Sequence, residues 1–243
     1  SLRGRVSFDD QKVTLDEFQL SDQDIARIDR VVFLGMGTSF NAAMVARNWM
    51  ESLTRIPCEF DNSSEFRYRD PVIDENTLVV SISQSGETAD TLASMEEAQN
   101  KGALQLTLCN YPGTQTTRIA EHTMLLRAGL EIGVASSKTF VNTLISLYLL
   151  AIDIGTRRGT LDPSRRIELV SELARLPELL GQALADESQY QSLAQKFGRR
   201  SDFLYLGRGI NFPLAMEGAL KLKELSYIHA EGYPAAEMKH GPI

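Results

Sequence analysis

The sequence predicts an α/β fold with a three-layer α/β/α parallel sheet, and three observations carry that expectation. Short apolar runs alternate with helical periodicity through the first 160 residues, which is the pattern of βαβ units whose strands are covered on both faces. Loops 35–39, 83–88 and 131–137 each follow such a run, so they gather beyond the carboxyl ends of the strands, where open parallel sheets hold ligands. Finally, residues 34–44 align without a gap with residues 206–216 at a constant offset of 172. Six of those eleven positions are identical (Leu, Gly, Gly, Phe, Ala, Met), which predicts a duplicated βα unit.

The elements follow in order. After a polar start, Ser21 and Asp24 have the spacing of a helix cap. Val31-Val32-Phe33-Leu34 predicts a strand ending at Gly35-Met36-Gly37-Thr38-Ser39, and Phe40, Ala43, Met44, Ala46, Trp49 and Met50 then recur at helical spacing to about Thr54. A second run, 77–81, breaks into Ser83-Gln84-Ser85-Gly86-Glu87-Thr88 before a helix to about Lys101. A third run, 104–109, stops at the turn residues Asn110-Tyr111-Pro112-Gly113. A short strand at 123–126 leads through the loop 131–137 to a long apolar helix ending near Ile154.

Residues 161–197 read as helical, with Leu169, Leu173, Leu176, Leu180, Leu184 and Leu193 as apolar positions and Pro177 kinking or dividing the stretch. The repeated unit follows, with strand Phe203-Leu204-Tyr205 and a helix from about Phe212 to His229. This organisation predicts a first unit at 1–160 with an N-terminal extension, a helical connector at 161–200, and the start of a second unit at 201–243. The counterpart of Ser83 would fall beyond Ile243, so the second unit is expected to hold one strand and one long helix, and the chain to be a fragment. A start at Ser1 rather than Met fits a processed or excised piece.

Composition narrows the function. Among 243 residues, 25 Lys and Arg face 32 Asp and Glu, a net charge of −7 that disfavours nucleic acid. Cys58 and Cys109 make no CxxC pair, and three histidines lie far apart, so neither a disulfide framework nor a metal site is expected. The apolar run 140–154 is interrupted by Asn142 and Asp153 and falls short of the ~20 residues a membrane span needs. With no signal peptide recognised, a cytoplasmic setting is expected, with no membrane partner.

Residues 83–88 carry the clearest chemistry. Hydroxyl side chains surround a glycine at a helix N-terminus, where backbone N–H groups and the helix dipole favour an anion. The loop has no Walker lysine, and loop 35–39 lacks the third glycine of a dinucleotide fingerprint. A phosphate monoester is therefore favoured over a nucleoside triphosphate or NAD, and no cofactor is expected. Read alone, Ser85 could simply cap the helix. On the last helix Glu217, Lys221 and Glu224 share a face at i, i+4 and i+7, and by spacing alone they could equally form a solvated charged stripe.

Ser-x-Ser-Gly-x-Thr after a strand, with Gly-x-Gly-Thr-Ser upstream, resembles the sugar isomerase (SIS) domain that binds phosphosugars. More narrowly, Leu2-Arg3-Gly4-Arg5, Ser64-Glu65-Phe66-Arg67-Tyr68-Arg69, Glu131-Ile132-Gly133-Val134-Ala135-Ser136 and residues 217–240 resemble the isomerase half of the glutamine–fructose-6-phosphate aminotransferases. The resemblance implies a flavodoxin-like sheet and a chain cut within its second SIS unit. It places the sugar phosphate on Thr38, Ser39, Ser83, Gln84, Ser85 and Thr88, and the sugar hydroxyls on Val134, Ala135 and Ser136, with Glu131 close by. Glu224 matches the base that shuttles a proton between C1 and C2, and Lys221 a lysine at the sugar's reacting end. His240 matches a ring-opening histidine contributed across a homodimer interface. Those types suit the chemistry, since enediol isomerisation needs a carboxylate that takes and returns a proton, and histidine exchanges protons near neutral pH. His122 and His229 are expected to be structural.

The implied parent reaction makes glucosamine 6-phosphate from fructose 6-phosphate and glutamine. This chain carries neither the family's glutaminase domain nor its C-terminal tail, so phosphosugar binding with weak or no turnover is expected. A stand-alone phosphosugar isomerase or deglycase, or a phosphosugar-sensing module, remains the alternative; for the latter, residues 1–30 show no basic recognition helix.

Overall fold

The computed structural model describes residues 2–242. A small hairpin pairs β1 (Val6–Ser7) antiparallel with β2 (Lys12–Val13). Helix α1 (Asp22–Arg27) opens on a capping box, in which Ser21 Oγ accepts the Asp24 N–H at 3.1 Å and the Asp24 carboxylate accepts the Ser21 N–H at 3.3 Å. The chain continues through β3 (Arg30–Gly35), α2 (Thr38–Thr54), β4 (Cys58–Asn62), α3 (Ser63–Phe66), β5 (Thr77–Ile82), α4 (Ala89–Asn100), β6 (Leu104–Cys109), α5 (Gln115–Ile119), β7 (His122–Leu125) and α6 (Lys138–Arg157). The five strands β3–β7 form one all-parallel sheet in the order β4-β3-β5-β6-β7. Strand order therefore reverses between β3 and β5, and the loops after these two strands flank the crevice such a reversal opens. Strand β4, with Glu59 and Asp61 among its five residues, had escaped the sequence reading because an edge strand need not be apolar throughout.

Alternate strand residues face opposite layers. Val31, Phe33, Leu78, Val80, Leu106 and Leu108 pack with α2 and with Leu147, Leu150 and Ile154 of α6. On the other face Val32, Leu34 and Val79 meet Phe66, Ala98 and Ala103. Helix α6 runs 20 residues, past the Ile154 expected from sequence, and by length and hydropathy it could cross a membrane. Its most apolar window is 61% buried inside the fold, so its greasy composition serves the larger core.

The N-terminal segment is tied to this core by Arg5, which is only 1% exposed. Its Nη2 donates to Glu17 Oε1 at 2.5 Å and to the Leu125 carbonyl at 2.7 Å, and its Nη1 to Ser146 Oγ at 3.3 Å. Removing one partner of such a buried pair typically costs about 3–5 kcal/mol, because the other charge stays desolvated.

After α6 come α7 (Pro163–Ala174), α8 (Leu176–Leu184), α9 (Ser188–Phe197), β8 (Asp202–Gly207), α10 (Asn211–Ser226) and β9 (His229–Pro234). The stretch 161–197 is thus divided, with the break at Arg175. Pro177 lies in the first turn of α8, where its missing N–H is no loss. Leu169 and Leu173 are buried, but Leu180, Leu184 and Leu193 are exposed, since α8 and α9 bury none of their residues.

The second unit also differs from expectation. It is more than a strand and a helix, because β9 pairs parallel with β8. Helix α10 ends at Ser226, not His229, where Tyr227 takes a left-handed conformation (φ 59°) and turns the chain into β9. The register Val31↔Cys58 to Gly35↔Asn62 reappears as Phe203↔Ala230 to Gly207↔Pro234, the same offset of 172 over a whole βαβ unit. The glycines explain why the motif recurs. A Cβ on Gly35 would lie 2.7 Å from the Ser39 carbonyl carbon, and one on Gly207 would lie 2.0 Å from the Asn211 carbonyl oxygen. Gly37 and Gly209 both adopt positive φ, 54° and 58°.

Asp153 supplies a test of core electrostatics. Burial pushes its carboxyl up to about 6, only partly opposed by Arg157, whose Nη1 lies 3.6 Å from Oδ2. A raised acid pKa favours the protonated fold, so this site is least costly below the ordinary value of 3.8, and its cost grows as pH rises through about 6. Asp153→Asn is expected to stabilise the protein by about 1–3 kcal/mol at pH 7.5 and to be nearly neutral at pH 3.5. Urea denaturation at the two pH values checks this; equal effects at both would contradict it.

Candidate functional site

The crevice between β3 and β5 is a cavity of about 210 Å³. Thr38 and Ser39 reach it from the start of α2, residues Ser83, Gln84, Ser85 and Thr88 from the loop before α4, and Ser136 from the loop before α6. Seven of the nine binding positions expected from sequence thus line one hollow. Its lining carries no charged side chain.

The loop after β5 is held by its own hydroxyls and by a neighbouring turn. Ser83 Oγ accepts the Gly86 N–H at 3.0 Å and lies 3.5 Å from Thr88 Oγ1. Thr88 is the N-cap of α4, yet its side chain makes no capping bond, and the residue lines the cavity. Ser85 Oγ accepts the Glu87 N–H at 3.2 Å. Gly86 has φ 68°, and a Cβ there would lie 2.2 Å from Thr114 Oγ1; only glycine fits so tight a turn. From the next loop Gln115 donates its backbone N–H and side-chain amide to the Glu87 carboxylate at 2.9 and 2.7 Å. The N-termini of α2 and α4 both open on the cavity, which therefore favours an anion through dipoles and neutral donors.

Helix α10 reaches the edge of this cavity. Glu217 is 5% exposed; it accepts from Thr38 Oγ1 at 3.0 Å and from Asn41 Nδ2 at 2.8 Å. Lys221 Nζ donates to Thr38 Oγ1 at 3.1 Å and to Glu224 Oε2 at 2.5 Å, and lies 3.4 Å from Glu217 Oε1. The three residues are thus no solvated stripe, since the first is buried against α2 and the second bridges to the hydroxyl cluster.

Val134 and Ala135 lie apart from the main cavity. They line, with Ser136, a shallower hollow that Glu217 and Lys221 also border, and Val134 is 91% exposed. Glu131 organises that loop. Its carboxylate accepts the Ser137 N–H at 2.8 Å, the Ser137 hydroxyl at 3.2 Å and the Ser136 hydroxyl at 3.3 Å. Burial pushes this carboxyl up, but hydrogen bonds from Thr139 and Ser137 outweigh it and hold it at about 2. His240 ends the exposed turn Ala235–His240 and borders neither hollow.

Sequence reasoning missed Thr91, Thr139, Thr143, Met36 and Phe140 in the cavity wall, and Asn41 beneath it. Thr139 and Thr143 had a readable signal, as polar residues at i and i+4 on an otherwise apolar helix. His122 packs edge-to-face on Phe18 at 5.5 Å, and burial lowers its pKa; His229 is exposed on β9, 3.5 Å from Glu231. Both cysteines are free and buried, and burial pushes both thiols up. Among the described residues no cluster of His, Cys, Asp or Glu could hold a metal ion.

Comparisons with known proteins bear on the family and the fold. The SIS domain model matches residues 24–153 and 199–243. The chain is 50% identical over 244 residues to the glutamine–fructose-6-phosphate aminotransferase (isomerizing) of Pseudomonas putida, covering 100% of this chain and 40% of that protein. It is 45% identical over 236 residues to the enzyme of the same name from Mycolicibacterium smegmatis, covering 97% of this chain and 38% of that one. Among solved structures, the C-terminal domain of glucosamine-fructose-6-phosphate aminotransferase from Francisella tularensis aligns with a TM-score of 0.92 and 36% identity, covering 98% of this chain and 66% of that chain. The chain thus spans about 40% of the length of the curated relatives named.

The capping carboxylate gives a test of the loop. Glu131→Ala is expected to cost about 1 kcal/mol at pH 7 by freeing the first turn of α6. Because the carboxyl is held low, this stabilisation is present above the ordinary value of 4.5 and is lost as pH falls toward about 2. Denaturation of both proteins across that range should show the gap closing; a gap that widens in acid would refute the cap.

Proposed function

We propose, because the chain belongs to the SIS domain family, that it forms the phosphosugar-binding and isomerising part of an enzyme that makes glucosamine 6-phosphate from fructose 6-phosphate and glutamine. The observation that carries this reading is one uncharged, hydroxyl-lined cavity at two helix N-termini, joined through Thr38 to the Lys221–Glu224 pair. Such a cavity suits a phosphate monoester, which dipoles and neutral donors hold without a metal.

In this reading Ser83, Ser85, Thr88 and Ser39 hold the phosphoryl oxygens, with Gln84 beside them. Thr38, bonded to both Glu217 and Lys221, sets the distance from phosphate to reacting carbons. Glu224 takes the proton from C1 of the open-chain sugar and returns it to C2. Lys221, 2.5 Å from that carboxylate, keeps a positive charge where the enediol oxygens develop negative charge. Ser136, Val134 and Ala135 close over the sugar hydroxyls. His240, exposed on its turn, fits a role in ring opening for the sugar of a second subunit, so the enzyme is read as a homodimer acting in cytoplasmic amino-sugar biosynthesis. Glutamine hydrolysis is assigned to none of these residues.

Two measurements test the reading. Ser83→Ala combined with Thr88→Ala is expected to weaken high-affinity fructose 6-phosphate binding at least thirtyfold in calorimetry, roughly 2 kcal/mol for the loss of two donors to a charged ligand; unchanged affinity would sink the assignment. Glu224→Gln should bind the sugar phosphate within about threefold of the parent chain, yet lose deuterium incorporation from solvent at C1 of the ketose and at C2 of the aldose formed from it by at least a hundredfold. Proton NMR of fructose 6-phosphate incubated in heavy water reads this out, and undiminished exchange would rule out Glu224 as the base.

A further inference from the structure

A second cavity lies at the carboxyl end of β8, on the side of the return strand β9 rather than on the side that corresponds to the β3–β5 crevice. It measures about 250 Å³ and lies between the turn Gly207-Arg208-Gly209, α2 and the end of β9. In contrast to the first cavity, its lining includes two arginines, Arg47 and Arg208. Neither has an ion-pair or hydrogen-bond partner for its side chain among the described residues, and Arg47 Nε is buried with none. Arg47 lies over the Phe60 ring, with its Cζ 5.0 Å from the ring centroid. Glu51, one turn further along α2 and the natural i,i+4 partner, accepts the Cys58 N–H at 3.1 Å instead.

We propose that this cavity is a second phosphate-monoester site, in which Arg47 and Arg208 grip the phosphoryl group. The turn Gly207-Arg208-Gly209 that borders it is the duplicated counterpart of the turn at the first site, with different side chains around it. At the first turn Thr38 and Ser39 supply hydroxyls; at positions offset by 172 stand Ile210 and Asn211. As at the first turn, where the Ser39 N–H donates to the Met36 carbonyl at 3.0 Å, the Asn211 N–H donates to the Arg208 carbonyl at 3.1 Å; Phe212 donates to the Gly209 carbonyl at 3.1 Å, and Pro213 has no N–H to give. With the hydroxyls of the first turn gone, formal positive charge can hold an anion, and paired guanidinium forks match phosphate oxygens in geometry. Met44, Phe60 and Phe212 form an apolar wall beside the arginines, which suits an ester with a ring or carbon chain over bare phosphate.

The test uses the chain carrying Ser83→Ala and Thr88→Ala, so that the first site is weakened. Inorganic phosphate and fructose 6-phosphate are titrated separately by calorimetry. Each is expected to bind once, the ester more tightly, with affinity falling at least fivefold when ionic strength rises from about 0.05 to 0.3 M. Adding Arg47→Gln and Arg208→Gln should weaken this residual binding at least tenfold. No residual binding, binding of phosphate but not ester, or binding indifferent to the arginines would each overturn the proposal. Should the arginine variants not fold, hydrogen exchange on the parent chain decides: phosphate should slow exchange at residues 207–212, and unaltered exchange there would overturn it.

Discussion

A single buried carboxylate joins the two halves of this molecule. Glu217 enters from α10 and meets Thr38 and Asn41 of α2, and Lys221 donates to the same Thr38, so the duplicated unit and the first unit meet through a polar cluster at the mouth of the crevice. A carboxylate that is 5% exposed would be costly alone, because desolvation of a charge is offset only by close partners. Three satisfy it, counting Lys221 at 3.4 Å. The same contact aligns the side of α10 bearing Lys221 and Glu224 with the hydroxyl cluster. Stability and site geometry therefore rest on one group, and the helix pair cannot slide without stranding it.

The sheet order supplies the other constraint. Because β4 and β5 flank β3, the loops after β3 and β5 diverge and leave room between them. Glycines make that room usable. Gly35 lets α2 start almost against the strand end, and Gly86 lets the next loop press against Thr114. Each does this where a Cβ would collide, so the cavity wall is backbone and small hydroxyls, and an anion can come close to helix N-termini.

Duplication kept the scaffold and changed the chemistry. Strand, glycine turn, helix and parallel return strand recur in the same register, yet the side chains after the two glycine turns differ, Thr38 and Ser39 in one unit and Ile210 and Asn211 in the other. Backbone sterics preserve Gly35 and Gly207 in both units, because a Cβ at either would strike the following helix, whereas the residues around each turn are free to diverge.

The sequence alone determined the layers, the apolar strands β3, β5, β6, β7 and β8, the hydroxyl loops and the repeat, because apolar periodicity, glycine turns and helix caps are local signals. The edge strand β4 and the return strand β9 were hidden, since their mixed residues take their meaning from the neighbours they pair with. The tertiary structure decided which face of α10 is buried. Spacing could place Glu217, Lys221 and Glu224 on one face, but only the approach of α2 turned a charged stripe into a buried bridge. It also decided that Thr139 and Thr143 face the cavity and that Glu131 caps α6. Those outcomes depend on contacts between residues far apart in the chain, and desolvation and helix-end electrostatics act only once packing has brought them together.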